Sequence, residues 1–450
     1  MVELENSRSL ETSRIERTSY GLFFLGQNII FMLALMFLNL FYTDVLGISA
    51  AAVGLLFLIA RTWDAINDPI LGTIVDRCNF KGGKFLPWIK TVNVLLPLAT
   101  FALFVNPNLG STGTLIYAYV TYILWGMIYT LCDVPIFALS TAMTRNQDER
   151  VIILTWGRIA ALIAGFIVAG TTMPLIEELG WTMVVGILAA VATLVMTPIR
   201  FFAAERYRAS SKVPSLADSL THLKNHRPLL IFYSAVFLTA AANTALVAGT
   251  YFAIYNLGGT QWVAPLMVAQ MLPGLVLAFF IPLLIRHLGK KTIFIGGMLF
   301  GATFGVVQYF VGYENPYVVI ALQSLKSVGA FLPMLLFGMF SADFVEYGHH
   351  ATGRRLEGIV FSIQTFASKF TQAISAGLGG ILLSWYGYTP NIEQNAETKE
   401  GIFVMFTLLP AVGAVLGALV MYRFYTLTET EVQSMIDQNQ QNPGEPPDGS

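Results

Sequence analysis

Long apolar runs alternate with short polar breaks along the whole chain. Twelve runs, at 20–43, 50–76, 86–106, 114–142, 151–172, 181–203, 229–256, 262–285, 292–312, 317–342, 357–384 and 401–424, meet the roughly 20 residues that a helix needs to cross a bilayer. The pattern predicts an all-α polytopic membrane protein with twelve transmembrane helices. An even number of crossings puts both termini on one side. Residues 1–19 are polar and mixed in charge, with no apolar stretch beside Met1, so no cleavable leader is expected.

The polar breaks are unequal in charge. Those at 77–85, 143–150, 200–228, 286–291 and 343–356 are rich in Arg and Lys, from Arg77, Lys81 and Lys84 to Arg354 and Arg355. The breaks between them, near 44–49, 107–113, 173–180, 257–261, 313–316 and 385–400, hold Lys399 alone. Positive charge stays on the cytoplasmic side, which predicts an integral plasma (inner) membrane protein with both termini cytoplasmic. The longest break divides the chain into a first six-helix bundle at 1–203, a cytoplasmic linker with a short amphipathic helix at 204–228, and a second six-helix bundle at 229–428. The tail at 429–450, ending "QNQQNPGEPPDGS", is too polar to bury a core and is expected to be disordered.

Composition narrows the partners. Charged residues make up 12%, about half the share of a soluble domain, so the lipid bilayer is the expected surroundings. A net charge of −1 offers no field for nucleic acid. Cys78 and Cys132 give no disulfide framework. No nucleophile–base set and no His-rich cluster points to an enzyme or a cofactor.

The informative residues are charges inside the apolar runs: Arg61, Asp64, Asp68, Asp133, Arg158, Lys326 and Lys369. A charge in hydrocarbon costs about 2.5–3.5 kcal/mol even on insertion scales, so those that persist face a partner or a water-filled cavity. At 1.5 Å per residue, Asp68 lies ~12 Å and Asp64 ~18 Å from the inner end of the second run, with Asp133 roughly 14 Å, Arg158 about 10 Å and Lys369 ~18 Å into theirs. Four helices thus bring charge to a similar level. Lys326 snorkels or pairs locally on this reading and receives no role.

Asp64, Asn67 and Asp68 stand at i, i+3 and i+4 and share one helix face. Two carboxylates and an amide, with the Thr130 hydroxyl three residues before Asp133, supply hard oxygen ligands for a small cation. Sodium suits such a set, and so does a proton, because crowded carboxylates favour protonation. The plainer alternative is that Asp64 and Asp68 only pair with Arg61 and Arg158 to hold helices together. Asp133, Arg158 and Lys369 suit charged hydrogen bonds to hydroxyl groups. Tyr129, Phe137 and Trp125 surround Asp133, Gln364 and Thr365 precede Lys369, and a polyhydroxylated ligand fits them. Aromatic residues at such positions also serve simply as core or lipid-facing surface.

A weak repeat joins the halves: "GTIVDRCNFKGGK" (72–84) follows the second run and "RHLGKK" (286–291) the eighth. Gly72-x-x-x-Asp76-Arg77 with basic residues beyond resembles the loop pattern of the major facilitator superfamily. On that reading Gly72 permits close helix approach, and Asp76 and Arg77, faced by Asp343, Glu346, Arg354 and Arg355, form an inner gate. The plainer reading is a solvated turn with positive-inside charges.

Longer stretches carry a stronger resemblance: "FYTDVLGISAAAVGLLFLIARTWDAINDPILG", "GKFLPWI", "VTYILWGMIYTLCDVP", "ADFVEYGHHATGRRLEGIVFSIQTFASK" and "GYTPN". Nearly end to end, the chain resembles the glycoside–pentoside–hexuronide:cation symporters, the family of the melibiose permease and the glucuronide and xyloside carriers. The resemblance implies the major facilitator fold and symport of a sugar with Na⁺ or H⁺. It implies cation binding at Asp64, Asn67, Asp68 and Thr130, and sugar contacts at Asp133, Arg158 and Lys369. The chain departs from the melibiose permease in its first span, where Gln27 and Asn28 replace a Lys–Asp pair. Phe137 and Met334 replace two tryptophans. These changes favour a glycoside, pentoside or uronide other than a galactoside, with Asn28 kept among the substrate-facing positions. A cation-coupled lysophospholipid or other amphiphile carrier of the same fold is the alternative.

Overall fold

The computed structural model describes residues 10–78, 80, 82–207, 226–239, 244–352 and 357–441. It is all-helical apart from an isolated bridge between Phe80 and Gly83. Two compact units divide the chain, Met1–Ser211 with Pro390–Ile392, and Lys212–Thr389 with Glu393–Ser450. The division falls inside the long polar break, whose expected amphipathic helix lies outside the described residues.

The first unit holds α1 (Arg14–Leu40), α2 (Ala50–Arg77), α3 (Leu86–Leu103), α4 (Gly110–Met143), α5 (Gln147–Leu179) and α6 (Trp181–Met196). The second holds α7 (Arg227–Leu238), α8 (Thr244–Tyr251), α9 (Val263–Leu288), α10 (Lys290–Val311), α11 (Pro316–Thr352), α12 (Glu357–Trp385), α13 (Ala396–Phe406), α14 (Leu408–Phe424) and α15 (Glu429–Gln441). Among the described residues nine helices are long and apolar enough to cross a membrane. The other expected spans fall on α2, on α7 with α8, and on α12.

The packing plan repeats. In the first unit α1 lies against α5 and α6, α3 against α4 and α6, and α2 against α4. In the second, α7 and α8 take the place of α1, packing on α12 and on α13 and α14. There α10 packs on α11 and α14, and α9 on α11. Each unit buries its own aromatic core, around Tyr20, Phe23, Phe37, Phe41, Phe85, Phe104 and Trp125 in the first and Phe232, Phe294, Phe340 and Phe344 in the second.

Two local devices recur with the plan. The helix that opens each unit ends in a π turn, Phe41–Val45 and Phe252–Asn256. Leu46 N donates to Phe41 O and Ile48 N to Tyr42 O; Leu257 N donates to Phe252 O and Gly259 N to Ala253 O. The third helix of each unit is also capped alike. Glu205, just past the sixth helix, accepts from Lys84 N (2.7 Å), Phe85 N (2.7 Å) and Leu86 N (2.6 Å) at the start of α3. Glu429, just past the last span, accepts from Lys290 N at the start of α10. A carboxylate there meets the unpaired N–H groups and the positive end of the helix dipole. Gly83 (φ +113°) and Gly289 (φ +76°) make room, since a β-carbon would stand 2.6 Å and 2.8 Å from the glutamate oxygens.

Two expectations need correction. Ordered structure does not stop at 428: Thr428 and Glu431 form a reciprocal cap, Thr428 N to Glu431 Oε2 at 2.7 Å and Glu431 N to Thr428 Oγ1 at 3.3 Å, and α15 follows, burying Val432 against α11. Those Thr428 donors hold the Glu431 carboxyl below its usual range. Lys326 does not snorkel, nor does it join an ion pair among the described residues; it is 7% exposed and donates to the Phe406 carbonyl.

Candidate functional site

The charged face of α2 is turned inward. Asp64, Asn67 and Thr130 are buried and Asp68 is half-buried. The helix can carry this face because α4 opposite presents Gly126, Thr130 and Asp133 about one turn apart. Thr130 Oγ1 donates to Asp68 Oδ1 at 2.6 Å. Asp64 lies against Gly126, where a β-carbon would stand 2.9 Å from its Oδ1, so only glycine leaves the carboxylate its place. Arg61 Nη1 reaches Asp64 Oδ2 at 3.1 Å along the same helix, and its Cζ lies 6.0 Å from the centre of the Tyr122 ring. That pairing matches the plainer alternative for Asp64, whereas Asp68 is held by a hydroxyl.

One turn further along α4, Asp133 Oδ1 accepts from Gln27 Nε2 at 3.0 Å. Gln27 is 1% exposed, and its Oε1 is buried without a donor among the described residues. Asn67 Nδ2 is likewise buried without an acceptor among them. A buried acceptor and a buried donor left over beside carboxylates are costly in a bare protein and are what a polar guest satisfies.

The aromatic neighbours divide. Trp125 is core: it is fully buried, stacks between Tyr122 and Tyr129 at 5.8 Å and 5.3 Å, and donates Nε1 to Thr100 Oγ1 at 2.8 Å. Tyr129 also meets Phe31 at 5.2 Å. Phe137 is half-exposed and packs edge-on against Phe24 at 5.3 Å. Asn28 Nδ2 donates back to Phe24 O in its own helix at 2.9 Å. Arg158 is exposed on α5 and has no ion pair among the described residues.

In the second unit Gln364 and Lys369 are half-buried on α12, and Gln364 Oε1 is buried without a partner among the described residues. Asp343 is paired with Lys290. Glu346 is half-buried; in the first unit Gly72 is buried and Arg77 exposed. Arg354 and Arg355, and the side chains of Asp76 and Thr365, lie outside the described residues.

In the sequence Gln27 stands out only as a substitution, and Gly126 and Lys290 carry no role. An amide facing a carboxylate between two helices leaves no pattern in either helix alone. Gly126 did carry a signal, since it precedes Thr130 by one turn on the face that meets α2.

A family model described as MFS/sugar transport protein matches residues 19–429. The chain is 30% identical to the glucuronide carrier protein homolog of Escherichia coli (strain K12), over 93% of each chain. It is 30% identical to the isoprimeverose transporter of Lactiplantibacillus pentosus, over 95% of this chain and 91% of that one. Among solved structures, the nucleoside transporter NupG superposes with a TM-score of 0.68 at 14% identity, covering 92% of this chain and all of that one, a likeness of fold.

Proposed function

Since the chain belongs to the MFS/sugar transport protein family and is a multi-pass membrane transporter rather than an enzyme, we propose that it moves a glycoside, pentoside or hexuronide across the plasma membrane by symport with Na⁺ or H⁺, both termini being cytoplasmic. The observation that carries the coupling is the contact of half-buried Asp68 with Thr130, with Asp64 seated against Gly126 beside it. Carboxylate, hydroxyl and amide oxygens from two helices make a hard-ligand set for a small cation, which enters as cargo.

The cation lowers the cost of holding Asp64 and Asp68 charged away from bulk water. The Asp133–Gln27 pair offers acceptors for sugar hydroxyls, and charge-assisted bonds of this kind give directional recognition. Both functions meet on α4, Thr130 and Asp133 being three residues apart, so an ion that draws α4 toward α2 also re-aims Asp133. Arg158 serves the sugar from the first unit, with Asn28, Tyr129 and Phe137, and Lys369 serves it from the second, with Gln364 and Thr365. Gly72, Asp76, Arg77, Asp343, Glu346, Arg354 and Arg355 act as inner-gate residues of an alternating-access cycle.

The test is uptake of a labelled sugar panel into proteoliposomes under an imposed Na⁺ gradient, an H⁺ gradient or neither. Accumulation of one sugar under one gradient supports the reading. Equilibration of that sugar with no accumulation under either gradient would leave a uniporter, and failure of every sugar to move would sink the proposal.

A further inference from the structure

The last apolar run is not one helix. α13 ends at Phe406 and α14 begins at Leu408, with Thr407 between them at φ −113° and ψ −67°. Pro410 supplies the cause. In an unbroken helix the N–H of residue 410 would bond to the carbonyl of residue 406; proline has no N–H, and its ring crowds that carbonyl. Phe406 is fully buried, so its oxygen has no water to fall back on.

Lys326 fills the gap. Its Nζ donates to Phe406 O at 2.6 Å and stands 3.9 Å from the centre of the Phe406 ring. The ammonium thus meets the negative end of α13 and an aromatic face together. Its path is opened by two glycines one turn apart on α10, Gly301 and Gly305. A β-carbon at Gly301 would stand 3.0 Å from Lys326 O, and one at Gly305 would stand 2.8 Å from Thr407 O and 3.6 Å from Lys326 Cδ. Small residues at this spacing let α10 approach both α11 and the break.

We propose that Lys326 is a positioning residue for transport. Its ammonium replaces the donor that Pro410 withholds, clamps the break in the last span to α11, and so sets the rate of turnover rather than the affinity for substrate. The turnover part rests on the transport reading above; the clamp itself does not.

Four full-length proteins test this in proteoliposomes and in detergent: the parent, Lys326→Met, Pro410→Ala and the double variant. Lys326→Met should slow sugar exchange by about tenfold or more while substrate affinity stays within about twofold, because one charged hydrogen bond is lost away from the sugar. It should also lower the unfolding temperature. The double variant should regain both, since an alanine in place of Pro410 brings back an N–H aimed at Phe406 O. A Lys326→Met protein that turns over and melts like the parent overturns the proposal, as does a double variant no better than the single one. If Lys326→Met does not accumulate, recovery of folded protein in the double variant supports the clamp and its absence overturns it. Unfolding requires no substrate, so a stability rescue with no sugar moved by any variant, the parent included, separates failure of the transport reading from failure of the clamp.

Discussion

Helices α2 and α9 stand second in their units, and each packs against the fourth span of its unit, α4 and α11. Their contents are opposite. α2 carries Arg61, Asp64, Asn67 and Asp68 within two turns, while α9 has Gln270 as its sole polar side chain between Val263 and Ile285, with prolines at 265, 273 and 282. The contrast extends to their partners. α4 answers α2 with Gly126, Thr130 and Asp133; α11 carries Lys326, whose partner is a carbonyl of the last span. One packing plan therefore hosts a carboxylate-rich face in the first unit and a single buried lysine in the second. In the first unit the carboxylates of α2 are met by Arg61 and by the Thr130 hydroxyl, whereas in the second Lys326 meets a backbone carbonyl.

The largest effect should come from breaking this contrast at its polar end. Asp68→Asn keeps the shape but loses the charge that accepts from Thr130. Gradient-driven uptake should fall about 100-fold, the upper range for losing a hydrogen bond to a charged group, while sugar exchange at equilibrium survives better. Gln270→Leu at the apolar end should leave uptake within about twofold, because a surface-like substitution away from charge and caps is nearly neutral. Equal losses in the two variants would show that the asymmetry has no bearing on coupling.

A smaller effect should sharpen the comparison within α4. Gln27→Leu leaves Asp133 without its amide donor. Substrate affinity, read by calorimetric titration, should weaken about tenfold, the worth of ~1.5 kcal/mol for a hydrogen bond to a charged group. The cation dependence of uptake should change much less. If the cation dependence moves and the sugar affinity does not, Asp133 belongs with the ion and not with the sugar.

The smallest effect separates the two caps. Glu205 takes three backbone N–H groups and Glu429 one that is described. Glu205→Ala should cost about 2 kcal/mol, the top of the range for losing a helix cap, and Glu429→Ala nearer to ~1 kcal/mol. Thermal unfolding of each variant in detergent gives the order, and a reversed order would mean that the anchoring of α15 on α11 outweighs the cap.

How much of this was readable in advance follows from how far apart the interacting residues lie. The helical segments were legible because a bilayer-length apolar run is a property of consecutive residues. So was the shared face of Asp64, Asn67 and Asp68, a matter of spacing within one helix. The bond from Gln27 to Asp133 spans 106 positions and the cap of α3 by Glu205 about 120, and nothing local marks either. Pro410 stood in plain view, yet a proline alone does not say which distant donor will serve the carbonyl that it orphans. The helix α15 was overlooked for a different reason: its polar composition outweighed the Thr428–Glu431 signature at its start.

The matched π turns fix where the chain leaves the opening helix of each unit. A π turn bonds an N–H to the carbonyl five residues back, one more than in an α-helix. Here such a turn ends the opening helix of both units, followed by Leu-Gly in each, Leu46–Gly47 and Leu257–Gly258, with the same two backbone bonds closing it. Gly47 (φ +68°) and Gly258 (φ +84°) then take the left-handed conformation that turns the chain away from the helix. The exit from the first helix is thus set locally, and the differing contents of the two units leave it unchanged.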